Sequence, residues 1–146
     1  MPAVATDLIL PTISARLLDR LVVFVCKDGV DIANADWKLY VDWLKALQVD
    51  SPDLSILTAA GGRAPSAAQR SLLNRELKTD GIRLAVLLSD WKLVAIVRVS
   101  SWFMKGAEAF HAHELDKALA YLGQADGARV RTAIRDLGGV VFKAAL

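Results

Sequence analysis

One segment of the chain combines residue types that can hold an anion. Residues 58–66, with the sequence TAAGGRAPS, lie between a predicted strand and a predicted helix. Backbone N–H groups at a helix start attract negative charge, and Arg63 would add a charge-assisted hydrogen bond. The segment contains neither glycine-rich nucleotide-binding fingerprint, so a capped turn without a ligand is the alternative. The candidate residues for binding an anion or another small molecule are Thr58, Gly61, Gly62, Arg63 and Ser66.

The two histidines are weak candidates for a metal site. His111 and His113 lie two residues apart, close to Glu114. A metal ion in a protein usually needs a third ligand and supporting hydrogen bonds. Two histidines beside a helix start more often form a surface turn with a cap. We therefore predict no metal site and no cofactor.

The sequence offers no catalytic constellation. Cys26 has no CxxC partner and ends an apolar strand, where we expect a buried thiol without reactivity. There is no G-x-S-x-G elbow, and helix capping explains Ser89 and Asp90. No pair of carboxylates has a spacing that indicates acid–base chemistry. The pattern predicts a protein that is not an enzyme.

Tryptophans are the remaining candidates for binding, since indoles are enriched both in cores and at binding hot spots. Trp91 follows the third predicted strand. Trp43 lies off the apolar stripe of its helix, so it either widens the buried face or stands exposed. A later helix adds an exposed line of polar residues. The predicted partner surface consists of Trp43, Trp91, Arg98, Ser101 and Lys105.

The composition limits the class of protein. A chain of 146 residues is about one domain, and its 54% hydrophobic content excludes disorder. A single cysteine excludes a disulfide framework and indicates a reducing, cytoplasmic location. The apolar runs are too short to cross a membrane. The net charge of +2 and the scattered basic residues predict no binding to nucleic acid.

Hydrophobic patterning predicts an α/β fold. Continuous apolar runs, typical of strands covered on both faces, occupy Leu21–Cys26, Ser55–Ala59 and Arg83–Leu88. Helical patterns between these runs predict βαβ crossovers and a mainly parallel sheet. We expect a fourth strand over residues 107–110. Residues 8–18 are predicted to form an edge strand, where Pro11 is tolerated.

Two helices are predicted between the first three strands. The first covers residues 36–48, with Asn34 or Asp36 as its N-cap. The second begins at Ser66, whose spacing to Gln69 is that of a capping box.

The second half of the chain is also predicted to be helical. Residues 89–104 have strand-like composition, but their length and the Ser-Asp start favour a helix. A further helix covers residues 114–122 and ends at Gly123, and a last one begins at Asp126. The apolar tail VVFKAAL packs back on the domain or meets a partner.

Four segments carry a family resemblance: RLVVFVCKDGVDIANADWKLYVDWLKAL, TAAGGRAPSAAQRSLLN, RLAVLLSDWKLVAIVRVSSWF and AEAFHAHELDKALAYLG. In this order they resemble the SpoIIAA-like and STAS-type bacterial domains, small modules related to anti-sigma-factor antagonists. The resemblance covers residues 20–123. It implies a single domain over residues 1–146, with a mostly parallel sheet of four to five strands, helices packed on it and a C-terminal helical extension over residues 124–146.

The resemblance also implies a role. It indicates a non-enzymatic regulatory or protein-interaction module, so we expect a protein partner or self-association. In the phosphorylatable members a serine begins the helix after the central strand, within an Asp-Ser-Ser-Gly-like setting. Ser66 is the nearest position, but it lacks the acidic neighbour and the Ser-Gly pair. The alternative is a domain that binds an anionic or lipid-like molecule with the loops at the carboxyl ends of its strands.

Overall fold

The computed structural model describes residues 5–27, 29–60, 65–78, 81–88, 92, 94–95, 106–124 and 126–138. The described residues form one sheet with strand order β1-β2-β3-β4-β5-β6. The first two pairings are antiparallel and the other three are parallel. The strands are β1 (Asp7–Ile9), β2 (Ile13–Leu18), β3 (Leu21–Cys26), β4 (Ser55–Ala59), β5 (Arg83–Leu88) and β6 (Ala107–His111).

Helices follow most of the parallel strands. The bounds of the three central strands and the helix starts at Ser66 and Asp126 are confirmed. Within the described residues, no helix combines the length and the apolar character that crossing a membrane requires. The helices are α1 (Asn34–Asp50), α2 (Ala67–Glu76), α3 (Leu115–Leu122), which follows a 3₁₀ turn at Ala112–Glu114, and α4 (Gly127–Leu137).

The amino-terminal edge of the sheet differs from the prediction. Residues 8–18 form the hairpin of β1 and β2 and not one strand, because Pro11 lacks the N–H that a continuing ladder needs. The N–H of Leu10 donates to the carbonyl of Ile13 at 2.9 Å and closes the turn. The expectation of four to five strands is therefore wrong, since the described sheet has six. The parallel arrangement holds for β3–β6.

Several predictions concern residues outside the described ranges. Most of the helix predicted over residues 89–104 lies outside the described residues, although Lys92, Val94 and Ala95 are helical. Trp91, Arg98, Ser101 and Lys105 lie outside them as well, and so does the tail from residue 139 onward.

Two packed layers cover the sheet. The crossovers from β3 to β4 and from β4 to β5 each move one strand in the same direction, so right-handed crossovers place α1 and α2 on the same face of the sheet. That face carries the first core, which contains the inner side of α1 together with Leu72 and Leu73 of α2. The opposite face carries the second core, which α3 and α4 cover. The alternation of side chains along the strands divides them between the two cores.

The start of α1 corrects a sequence expectation. Its N-cap is Ala33, which makes no side-chain cap, and not Asn34 or Asp36. The buried carboxylate of Asp36 instead accepts hydrogen bonds from the N–H and the hydroxyl of Thr12, at 2.9 and 2.6 Å. The Thr12 hydroxyl also accepts from the N–H of Ala33 at 3.1 Å. The β1–β2 turn thus caps α1 from outside the helix.

Candidate functional site

The carboxyl ends of β3–β6 lie at one edge of the sheet, because these strands are parallel. Ligands of open α/β sheets bind outside this kind of edge. Cys26 ends β3 and His111 ends β6, while α2 begins shortly after β4. This edge therefore contains most of the residues for which the sequence suggested chemistry.

Ser66 caps α2 as predicted. Its hydroxyl accepts a hydrogen bond from the N–H of Gln69 at 3.1 Å, and the Gln69 side chain accepts from the N–H of Ser66 at 2.9 Å. The two bonds form a capping box that satisfies two backbone donors. The Ser66 oxygen thus has a structural role at an exposed position.

Gln69 also fixes α2 against α1. Its side-chain amide donates to the carbonyl of Ile32 at 2.9 Å and to the side chain of Asn34 at 3.0 Å. Its backbone carbonyl accepts from the indole of Trp37 at 2.7 Å. Gln69 is 5% exposed and is the only fully buried residue of α2. These polar bonds act together with the packing of Leu72 and Leu73 on the first core to hold this helix in place.

Replacing Gln69 with alanine should lower the free energy of unfolding by about 2–3 kcal/mol, because the buried carbonyl of Ile32 and two partly buried groups, on Asn34 and Ser66, would lose their partner. Chemical denaturation followed by circular dichroism measures this change. Ser71→Ala, at an exposed position of the same helix, should stay within about 0.5 kcal/mol of the parent chain. A loss of less than about 1 kcal/mol for Gln69→Ala would show that the side-chain hydrogen bonds of Gln69 do not hold α2 in place.

The predicted anion-binding set is only partly described. Thr58 lies in β4 and is 8% exposed, with its side chain on the face of the first core. Ser66 is exposed at the start of α2. Gly61, Gly62 and Arg63 lie outside the described residues. The structure thus shows a helix cap at this edge. A binding role for the loop is a proposal.

Cys26 is a buried thiol, as predicted. It is 1% exposed within the first core. Burial raises its pKa from the ordinary value of 9.0 to about 12, because a thiolate would lose its solvation there. The thiol is therefore protonated at neutral pH and cannot act as a ready nucleophile.

His111 caps the turn that follows β6. Its side-chain Nδ1 accepts a hydrogen bond from the backbone N–H of His113 at 3.1 Å. The backbone N–H of His111 donates to the Glu114 carboxylate at 3.0 Å. The two imidazole rings stack with centroids 4.8 Å apart. His111 is 6% exposed, so it lies in the interior and not on a surface turn. In the described residues, no group of three or more histidine, cysteine or acidic side chains is arranged to hold a metal ion.

Trp43 is not part of an exposed partner surface. It is 7% exposed, and its indole donates to the carbonyl of Ala5 at 2.8 Å. The β1–β2 hairpin packs against this side of α1, and Trp43 therefore widens the buried face of the helix. This position removes Trp43 from the predicted surface.

Sequence reasoning missed two features of this region. His111 and Glu114 have the three-residue spacing of a capping box, but histidine is not a usual cap residue. The bond from Trp37 to Gln69 joins residues 32 positions apart, and no local pattern indicates it. The first feature could have been found from its spacing, whereas the second depends on tertiary packing.

The interior is filled where the structure describes it. Both sheet faces are covered by buried side chains. A surface pocket beside the β2–β3 turn, partly open to solvent, has a volume of about 30 Å³, which leaves room for a few water molecules at most. It is lined in part by Leu18, Leu21 and Val130.

The polar residues of this edge mainly stabilise local structure. Ser66 caps a helix, His111 caps a turn and the thiol of Cys26 is buried. The start of α2 remains as an exposed surface that tertiary contacts hold in place.

Comparison of the chain with protein-family models, with curated proteins and with solved structures finds no match.

Proposed function

We propose that the chain is a non-enzymatic, STAS-like protein-interaction module with a regulatory role, and that it binds its partner through the exposed face of α2. The parallel strands β3–β6 with helices between them support this type of domain. Its single cysteine, free and buried, supports the expected cytoplasmic location. The α2 face consists of Ala67, Ala68, Ser71, Asn74 and Arg75.

The observation that carries the proposal is the rigid attachment of this exposed face. The capping box orders the first turn of α2, and Gln69 binds the helix through two hydrogen bonds to α1 and one to Ile32 just before it. A preformed surface loses little conformational freedom when a partner binds. The small side chains at the start of the face allow a partner's backbone to approach closely.

The packing of the described part of the interior supports a partner protein over a lipid-like ligand. A lipid carrier needs an apolar cavity of several hundred Å³. The described strands instead direct their apolar side chains into two packed cores. An anionic ligand at the start of α2 is the remaining alternative, because no described acceptor bonds to the N–H groups of Ala67 and Ala68.

Ser71→Arg tests the proposal, because a bulky cation at the centre of the α2 face would block a close contact. The matched control is Ala120→Arg, which places the same side chain on an exposed position of α3 across the sheet. A partner is first isolated with the parent chain from a lysate of the source organism, and its purified form is then titrated calorimetrically. We expect Ser71→Arg to weaken binding at least about tenfold and Ala120→Arg to leave it unchanged.

Two results would contradict the proposal. Equal binding of the partner to the parent chain and to Ser71→Arg would place the interface elsewhere. Heat of binding with inorganic phosphate, lost in Arg63→Ala, would favour the small-molecule alternative.

A further inference from the structure

The outer edge of β1 carries backbone groups without a partner among the described residues. Among the described residues, β1 is an edge strand of the sheet and pairs only with β2. The N–H of Leu17 donates to Thr6 at 2.7 Å, and that of Leu10 donates to Ile13 at 2.9 Å. Antiparallel ladders bond at alternate residues, so the N–H and C=O groups of the intervening Asp7 and Ile9 point away from β2.

Apolar side chains flank this edge on both faces of the sheet. Ile9 is 60% exposed and lies on the face opposite to Leu8. Leu39 of α1 is 49% exposed. It lies three residues after Asp36 and four before Trp43, both of which bond to the β1 hairpin or the residues before it. Leu39 therefore lies on the side of α1 that faces β1.

We propose that a second copy of this chain pairs with β1 in antiparallel orientation, so that two sheets continue into one across a two-fold axis at Leu8. In this arrangement Asp7 of each copy exchanges both backbone hydrogen bonds with Ile9 of the other. The exposed side chains of Ile9 and Leu39 lie at the resulting seam. An unpaired strand edge is the kind of surface that such pairing covers.

Other symmetric registers are less favourable. An axis at Asp7 would place two carboxylates directly opposite each other. An axis at Ile9 would place Asp7 opposite Pro11, which has no N–H to donate. The axis at Leu8 pairs the outward groups of Asp7 with those of Ile9 and requires no other residue of the chain.

The charge at this edge is also compatible with pairing. The Asp7 carboxylate already accepts from the guanidinium of Arg16 at 2.9 Å, and Arg16 bonds to Asp136 of α4 as well. These contacts raise the pKa of Arg16 above its ordinary value, mainly through the hydrogen bond to Asp7. Asp7 therefore meets the seam as an ion-paired carboxylate, which shares the guanidinium of Arg16 with Asp136.

The inference is independent of the α2 face, because α2 connects β4 and β5 and β1 is three strands from β4. The mass in solution, measured by sedimentation, tests it first. We expect a species of twice 15.8 kDa. Ile9→Pro should shift the equilibrium toward monomer at least about tenfold, since it removes two inter-chain hydrogen bonds in the proposed pair. Its circular dichroism should match that of the parent chain, because the Ile9 N–H is not bonded to β2.

A disulfide tests the register. In a Cys26→Ala background, Leu8→Cys should form a covalent dimer under mild oxidation, because directly opposed residues of this type have Cα atoms about 4.5 Å apart. Ile9→Cys should not form this disulfide, since the Cα atoms of position 9 in the two copies would lie about 8 Å apart, two residues out of register with each other. Crosslinking by random collision would instead be faster through position 9 than through position 8, because position 9 is the more exposed of the two.

Three outcomes would overturn the inference. One is a parent chain that stays monomeric at high micromolar concentration. Another is a dimer that survives Ile9→Pro. The third is faster crosslinking through position 9 than through position 8. None of them would affect the partner proposed for the α2 face.

Discussion

Phe24→Ala should lower the free energy of unfolding by about 3–5 kcal/mol, a large part of the stability of a small domain. Phe24 lies in β3 and is 1% exposed. Its ring stacks on Tyr40 with centroids 4.2 Å apart and meets the edge of Trp37 at 6.0 Å. These aromatic side chains connect the sheet to α1, and their neighbours on both sides prevent collapse into the space that the ring would leave.

Urea denaturation at neutral pH measures this effect. Phe24→Leu keeps most of the volume and should cost less than Phe24→Ala. Val49→Ala removes carbon from a side chain that is 74% exposed on α1, and its effect should stay within about 0.5 kcal/mol. If Phe24→Ala cost no more than Val49→Ala, this aromatic group would not be the centre of the first core.

Cys26 should make stability fall at alkaline pH. Its pKa is about 12 in the folded chain, raised by burial from the ordinary value of 9.0 that the unfolded chain retains. A raised folded-state pKa contributes stability that is complete below pH 9.0 and is lost as the pH rises toward about 12. At pH 10 the loss should be about 1 kcal/mol, because the pH then exceeds the pKa of the unfolded thiol by about one unit.

The comparison of the parent chain with Cys26→Ala isolates this contribution. Both are unfolded in urea at pH 7 and at pH 10, and only the pH-dependent difference is used, because the substitution itself leaves a small cavity. Burial also raises the pKa of Tyr40 well above its ordinary value, so both chains should lose some further stability above pH 10. Identical pH dependence in the two chains would mean that the thiol of Cys26 is accessible to water in the folded state.

Local sequence patterns predicted most of the sheet. Leu21–Cys26, Ser55–Ala59 and Arg83–Leu88 are strands with these bounds, because strands covered on both faces need uninterrupted apolar residues. The start of α2 was predictable for a similar reason, since a capping box involves residues only three positions apart. Of the candidate site, the sequence thus indicated the cap at Ser66.

The long-range contacts of the candidate residues were not predictable. The indole of Trp43 bonds to Ala5, 38 residues away, so helical periodicity could not decide whether it was buried. Gln69 bonds across 37 residues to Ile32, and its spacing indicated only the local cap.

The sequence by itself determined the parallel strands, the helix caps at Ser66 and Asp126 and the buried thiol, since each depends on neighbouring residues or on an apolar run. Only the tertiary structure decided that residues 8–18 form a hairpin and that Asp36 bonds to Thr12. It also decided that α2 is attached by polar bonds. The physical reason is distance along the chain: a backbone or side-chain partner that lies tens of residues away leaves no periodic signal in the sequence.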